Sequence, residues 1–198
     1  MNVREPIKKT SIKKKKTIIE KGFLLMCEKG YHNVTCVDIA KYAGVSTGII
    51  YQYFKDKRDI FIHGVEDYTD KIMFPMIDII DNVIIDKTSL NLLLSKMIDK
   101  FISVHNIKKE AHEELMAMSH LDPEISDIFK SRELLMTEKI STILLNNGFN
   151  EYHINEKVHI IIGLVDNYSH EVVYHKHHDL NYNVMKDEII NIIVKILA

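Results

Sequence analysis

Few residues of this chain are of the types that interrupt regular structure or form cross-links. Its 198 residues include 7 glycines, 3 prolines, 2 cysteines and no tryptophan. Two cysteines are too few for the disulfide frameworks that hold small secreted domains together. Seven glycines are too few for a chain rich in phosphate-cradling loops, and the enzyme motifs GxGxxG, GxxxxGKS/T and HExxH do not occur. The sequence therefore predicts neither an enzyme nor a bound cofactor.

Long apolar runs are also missing. No stretch approaches the roughly 18 apolar residues that a membrane-spanning helix needs, and the lysine-rich N-terminus lacks the apolar segment of a secretory signal. We therefore expect a cytoplasmic protein, in which Cys27 and Cys36 serve as small, partly buried apolar residues rather than as a redox pair. With 46% hydrophobic residues, the chain can bury a core in one or two domains.

Positive charge is concentrated at one end of the chain. Residues 1–60 contain 13 Lys and Arg against 6 Asp and Glu, whereas the remainder contains 13 against 22. Such an asymmetry is typical of a chain in which one domain meets nucleic-acid phosphates and the other does not. Lys8, Lys9 and Lys13–Lys16 form the densest run, which predicts a basic N-terminal arm over residues 1–16 that reaches phosphates or the minor groove. A solvated tail is the alternative.

The segment 34–59 predicts two short helices separated by a tight turn. Thr35 is a good N-cap, and Asp38 three positions later completes a sequence of the capping-box type. Gly44 ends the first helix, because a left-handed conformation costs least at glycine. Three residues recur at helical spacing and are expected to face a core: Val37, Ala40 and Ala43.

The second of these helices suits a DNA groove. Ser46 caps it, and Ile50 and Phe54, four positions apart, are expected to point inward. A small polar N-terminus with projecting hydroxyl, amide and aromatic groups fits the major groove. The alternative is a tight helical hairpin inside an ordinary all-α domain. The residues predicted to point outward are Thr47, Gly48, Tyr51, Gln52 and Tyr53.

Three segments match the pattern of a known family: IIEKGFLLMCEKGY (18–31), TCVDIAKYAGVS (35–46) and GIIYQYFKDKRDIF (48–61). Together they resemble the N-terminal domain of the TetR family of bacterial transcriptional regulators. The chain departs from the family's usual residues at four positions, namely Gly22, Met26, Cys36 and Tyr53. The pattern and the resemblance together predict the DNA-binding residues Thr35, Ser46, Thr47, Gly48, Tyr51, Gln52, Tyr53 and Lys57.

Beyond these segments the pattern is helical throughout. A fourth helix is predicted from about Lys57 toward Met73, and Asp122-Pro123-Glu124 is a strong start signal for a later one. We therefore predict an all-α protein of two domains. The first, at 1–60, is a three-helix helix-turn-helix DNA-binding domain, and the second, at 61–198, is a larger helical ligand-binding and dimerisation domain.

Two apolar helix faces near the C-terminus predict a subunit interface. Apolar residues of the penultimate helix follow a four-three-four-three-four spacing, and the last helix carries a second apolar face. By periodicity alone, these faces serve equally well as the core of one domain. TetR-like proteins dimerise through their last two long helices, so the resemblance implies a homodimer on palindromic double-stranded DNA. The predicted interface residues are Val158, Ile161, Val165, Val172, Ile189 and Ile193.

A small-molecule pocket in the acidic part of the chain is implied by the resemblance. Methionine adapts to irregular shapes, and six of the nine fall in the segments expected to enclose the pocket: Met73, Met76, Met97, Met116, Met118 and Met136. For any single position, a place in the core is the simpler interpretation. The predicted ligand-binding residues are Met97, Phe101, His105, Met116, His120 and Tyr168.

Histidines are frequent in the second half of the chain, but their spacing matches no compact metal site. His159, Asp166 and His170 fall on one helical stripe, and His175, His177 and His178 crowd the end of that helix. We interpret the histidine-rich region 159–178 as a solvated surface and predict no metal ion.

The sequence thus predicts a dimeric transcriptional repressor that a small-molecule effector releases from a palindromic operator. Two alternatives stay open at this point. One is a TetR-like protein that binds DNA without responding to a ligand, and the other is a helical ligand- or metal-binding module that does not engage DNA. Salt-dependent duplex binding distinguishes the module from the other two, and ligand-induced release distinguishes those from each other.

Overall fold

In the computed structural model the chain is built of α-helices. The structure describes residues 8–73, 75–80, 83–85, 89–105 and 109–198, and within these ranges it contains no strand, which confirms the all-α prediction. No helix in the described part of the chain combines the length and apolarity needed to cross a membrane. In chain order the elements are α1 (Lys9–Lys29), a 3₁₀ turn (Tyr31–Asn33), α2 (Cys36–Ala43), α3 (Thr47–Tyr53), α4 (Lys57–Met73), α5 (Pro75–Ile80), α6 (Leu90–Val104), α7 (Lys109–Leu121), α8 (Pro123–Asn146), α9 (Ile154–Tyr174) and α10 (Tyr182–Leu197).

The first of two compact units comprises Met1–Thr69 and Ile107–Phe129. Within it α1 packs against α2 and α7, and α2 packs against α3. The predicted boundary after residue 60 falls inside α4, where Ile60 and Phe61 are fully buried in this core. The residues without exposed surface here are Ile18, Met26, Ile39, Ile50, Phe54, Ile60, Phe61, Val65, Ala111, Leu115 and Ile125.

Gly64 allows α4 to approach α1 closely. A Cβ atom at this position would lie 2.4 Å from the Cβ of Phe23, and the two atoms would overlap. The close approach places the Phe23 ring 5.4 Å from that of Phe61 and 5.7 Å from that of Tyr68. An aromatic cluster built around one glycine therefore joins α1 to α4.

From Lys9 onward, the predicted basic N-terminal arm over residues 1–16 is part of a helix. α1 begins at Lys9 and already contains Lys13–Lys16. Lysine is a good helix former, and Ile18 and Ile19 anchor the same helix in the core. The basic run is therefore a helix surface, and residues 1–7 lie outside the described residues.

The second compact unit comprises Asp70–Asn106 and Lys130–Ala198. In this unit α6 packs against both α9 and α10, which also pack against each other, and α5 packs against α6. Ile98, Val158 and Ile193 at the centre of these contacts have at most 1% of their surface exposed. The unit therefore has an apolar core of its own.

Candidate functional site

The structure confirms the predicted helix, turn and helix at α2 and α3. Thr35 Oγ1 accepts a hydrogen bond from the Asp38 backbone N at 3.3 Å, and Asp38 Oδ2 accepts one from the Thr35 backbone N at 2.9 Å, so the capping box is complete. Gly44 adopts the left-handed conformation with φ 71° and ends α2. Two short helices are thereby held at a tight turn.

The outer side of α3 is exposed as predicted for most of its residues. Ser46, Gly48, Tyr51 and Gln52 are exposed and Thr47 is half-exposed. A Cβ atom at Gly48 would meet nothing within 4 Å, so the surface around it is open. On the inner side, Ile50 and Phe54 are fully buried as predicted. A small amide-bearing surface is therefore available to a DNA groove, and DNA contact by these residues stays a prediction.

Two residues of this segment face the opposite way from the prediction. Tyr53 is only 5% exposed, because it lies three positions after Ile50 and shares its buried stripe. Val37 is 61% exposed, and Ile39 takes its place in the core with Ala40. Tyr53 is therefore a core residue of the first unit, and the outward orientation predicted for it is wrong.

Lys57, which is predicted to contact phosphates, forms hydrogen bonds inside the first unit. Its Nζ donates hydrogen bonds to the backbone oxygens of Tyr31 at 2.7 Å and Val34 at 2.9 Å. The same ammonium lies 4.6 Å from the centroid of the Tyr31 ring, within range of a cation–π interaction. Its donors are used inside the protein, so Lys57 fixes the segment that leads into α2.

The thiols of Cys27 and Cys36 are not activated as nucleophiles. Burial raises the pKa of Cys27 to about 12. Burial also raises the pKa of Cys36, whose side chain is hydrogen-bonded to that of Tyr51. Both thiols are therefore protonated at neutral pH, in agreement with the predicted apolar role.

The segment Gly44–Gly48 matches the enzyme pattern GxSxG. In hydrolases this motif forms a sharp turn between a strand and a helix that exposes the serine nucleophile. Here it joins α2 to α3, and a helix, not a strand, precedes it. Ser46 therefore occupies the N-cap position of α3 rather than a nucleophile elbow.

The second unit contains an apolar cavity among α6, α8 and α9. Its volume is about 60 Å³, and an adjoining cavity of about 60 Å³ shares Leu94, Met97, Ile140, Ile161 and Ile162 with it. Together they are smaller than the pockets that hold most ligands, so a ligand there must displace side chains. The first cavity is lined by Leu94, Met97, Ile98, Phe101, Met136, Ile140, Ile161, Ile162 and Val165.

The predicted ligand-binding residues are only partly brought together. Met97 and Phe101 line the cavity. His105 and Tyr168 are buried in the same unit, but the Tyr168 hydroxyl already donates to the Tyr182 backbone O at 2.9 Å. The structure places the other two, Met116 and His120, in the first unit on α7.

Met116 and His120 are therefore not part of this cavity. Met116 packs against the core of the first unit and His120 is exposed, because α7 packs on α1. Met118 is buried in that same core. Of the remaining methionines, Met136 lines the cavity, and the side chains of Met73 and Met76 lie outside the described residues.

Three of the six predicted interface residues are buried inside the second unit. Val158, Ile189 and Ile193 are at most 7% exposed, because they fill the core that α6, α9 and α10 share. Ile161 and Val165 line the cavity, and Val172 packs against the same core. Val158, Ile189 and Ile193 are therefore contacts within the chain, whereas Ile161, Val165 and Val172 are half-buried and their contact with a partner stays a prediction. The exposed apolar residues of these helices are Ile160, Val184 and Ile192.

Histidines distant in sequence meet in the second unit. His105, at the C-terminal end of α6, lies against His170 of α9 with ring centroids 5.0 Å apart. Asp166 stands one turn before His170. His159, which shares their helical stripe in the sequence, lies instead 3.7 Å from Glu133. The helical spacing within α9 does not identify His105 as part of this group, because His105 lies at the end of α6.

Comparison with known proteins agrees with this architecture. Residues 18–63 match the family model described as bacterial regulatory proteins, tetR family. The fatty acid metabolism regulator protein of Bacillus subtilis (strain 168) is 30% identical over 138 residues, which are 67% of this chain and 71% of that protein.

Two solved structures share the fold over nearly the whole length. A TetR-family regulator from Mesorhizobium loti superposes with a TM-score of 0.77 at 16% identity, covering 96% of this chain and 98% of that one. The fatty acid degradation regulator FadR from Bacillus halodurans gives a TM-score of 0.66 at 19% identity, covering 96% and 97%. The capped helix-turn-helix, the matched segment and these relatives agree, and the chain belongs to the TetR family of DNA-binding bacterial transcriptional regulators.

Proposed function

We propose that this regulator is a homodimeric repressor that binds a palindromic operator and is released by a small molecule with an apolar, acyl-type chain. The observation that carries the proposal is the exposed surface of α3, on which Tyr51 and Gln52 are exposed and the surface at Gly48 is open. Glutamine pairs bidentately with an adenine edge in the major groove. This surface supplies base readout, and the exposed lysines of α1 supply phosphate contacts.

The effector class rests on the second unit. Every side chain that lines its cavity is apolar, and methionines at 97 and 136 allow the walls to adapt. Two relatives of this chain are regulators of fatty acid metabolism and degradation by name. An acyl chain suits such a lining, and it would fill the adjoining cavities by moving flexible side chains.

Dimerisation is expected through the outer faces of α9 and α10. Ile160 is 60% exposed and Ile192 is 43% exposed. Gly163 stands one turn after Ile160, and a Cβ atom there would meet nothing within 4 Å of its own chain. A glycine inside a helix costs about 1 kcal/mol relative to alanine, and close approach by a second helix accounts for its presence.

Fluorescence anisotropy with a duplex selected from a random library tests the proposal. Gln52→Ala is expected to weaken binding to the selected duplex by about 1–3 kcal/mol and to leave binding to a scrambled duplex unchanged. Asn91→Ala, which removes an exposed amide on α6, is the control and should bind like the wild type. Fatty acids of graded chain length are then titrated into the complex. Equal losses on both duplexes argue against readout by α3, and failure of every fatty acid to release the duplex argues against the effector class.

A further inference from the structure

Three side chains of metal-binding type converge in the second unit. One ligand atom from each of His105, Asp166 and His170 lies within 4.8 Å of the others. Asp166 and His170 are one turn apart on α9, and His105 comes from the end of α6, which packs against α9. In the described part of the chain, no other group of three such residues comes this close together.

The ring of His105 is held in a definite orientation. It is 5% exposed, and its Nδ1 lies 2.7 Å from the backbone O of Phe101. Only a protonated Nδ1 can donate to a carbonyl oxygen, so the lone pair of this imidazole is on Nε2. A backbone carbonyl that fixes the tautomer of a histidine is the usual outer contact of a metal ligand.

The pKa shifts of these three side chains are compatible with a bound cation. Histidine binds metals in its neutral form, and burial lowers the pKa of both His105 and His170. Burial raises the pKa of the Asp166 carboxyl to about 6. A divalent cation beside this carboxyl favours its ionised form.

We propose that His105, Asp166 and His170 form a binding site for one divalent transition-metal cation of the Zn²⁺ class. Two imidazole nitrogens and one carboxylate oxygen favour Zn²⁺, Co²⁺ or Ni²⁺ over Mg²⁺ or Ca²⁺, which prefer oxygen ligands. Ligand atoms in a tetrahedral zinc site lie about 3.4 Å apart. Small side-chain rotations therefore close the site, and three protein ligands leave a coordination position for water or an effector atom.

Neighbouring histidines supply matched controls. His177 lies 3.8 Å from Glu171, and His159 lies 3.7 Å from Glu133. Each therefore lies beside an acidic residue, but among the described residues neither belongs to a group of three potential metal ligands. If binding came only from scattered surface histidines, removing either of these would weaken it as much as removing a member of the group.

The test uses the full-length chain without an affinity tag, stripped by a chelator and titrated with Co²⁺ while visible absorption is recorded. One Co²⁺ per chain is expected, displaced by Zn²⁺. Asp166→Asn and His170→Gln should each weaken binding by at least about tenfold, whereas His177→Gln and His159→Gln should not. Asp166→Asn preserves shape at a partly exposed position, and circular dichroism checks its fold. The proposal is overturned if the wild type binds no stoichiometric Co²⁺, or if folded Asp166→Asn binds it like the wild type.

Discussion

Arg58 and Asp122 form a bidentate ion pair inside the first unit. Arg58 Nε donates to Asp122 Oδ2 at 2.8 Å, and its Nη2 donates to Oδ1 at 2.9 Å. The same carboxylate accepts from the backbone N of Glu124 at 3.0 Å and so caps α8. One aspartate therefore joins the first turn of α4 to the start of α8.

We predict that this ion pair makes the free energy of unfolding depend on pH in the acid range. The Arg58 guanidinium lowers the pKa of Asp122, so the folded state favours the ionised carboxyl. The resulting stabilisation is complete above the usual pKa of aspartate and is lost as the pH falls through the lowered value. Because Arg58 is 41% exposed, the coupling should be only about 1 kcal/mol.

A double-mutant cycle measures this coupling. Urea unfolding of Arg58→Ala, Asp122→Asn and the double variant is compared at pH 7 and near pH 3. A coupling free energy at pH 7 that shrinks in acid is the expected result. A coupling that does not change with pH would mean that the pair contributes through packing instead of charge.

Lys57→Met is expected to destabilise the protein by about 1.5–3 kcal/mol. The substitution removes a charged donor from the backbone oxygens of Tyr31 and Val34 while keeping most of the apolar stem. Lys55→Met is the matched control, because Lys55 is exposed two positions earlier. The control should keep its stability and reduce the salt dependence of duplex binding by about one released ion. If instead Lys57→Met reduces the salt dependence of duplex binding and Lys55→Met lowers the stability, Lys57 is a phosphate contact.

Local signals in the sequence predicted the helix ends well. Thr35 with Asp38, Gly44, and the Asp122-Pro123 pair each act through neighbours in the chain, so their roles are readable without tertiary structure. The outward orientation predicted for Tyr53 is wrong because α3 has only seven residues. Over two turns, the phase of a buried stripe is poorly defined.

Predictions that depended on which helices meet were less successful. Periodicity correctly identified Val158 and Ile193 as apolar-face residues, but it does not say whether that face meets its own chain or a partner. Residue type alone places Met116 with Met97 in the predicted ligand pocket. The packing of α7 on α1 instead places Met116 against the core of the first unit. His105 joins His170 only through the contact between α6 and α9.

Ile160→Glu is expected to convert the dimer to a monomer. Ile160 is exposed on α9 beside the open surface at Gly163, and an unpaired charge in an apolar interface costs several kcal/mol. Leu121→Glu is the control, since Leu121 is 74% exposed on α7 in the first unit. Sedimentation velocity gives the mass of each variant. A folded Ile160→Glu protein that remains dimeric would place the interface on another surface.

Met97→Trp is expected to abolish release by the effector while preserving duplex affinity. Met97 lines both adjoining cavities, and the larger indole would occupy the space that an acyl chain needs. Overpacking should cost about 1–3 kcal/mol of stability. Met185→Trp is the matched control, because Met185 is half-buried in the same unit but lines neither cavity. Anisotropy of the duplex complex, titrated with the most effective fatty acid, should show release of the control and not of Met97→Trp. If both variants release the duplex at the fatty acid concentration that releases the wild type, the effector site does not lie at α6.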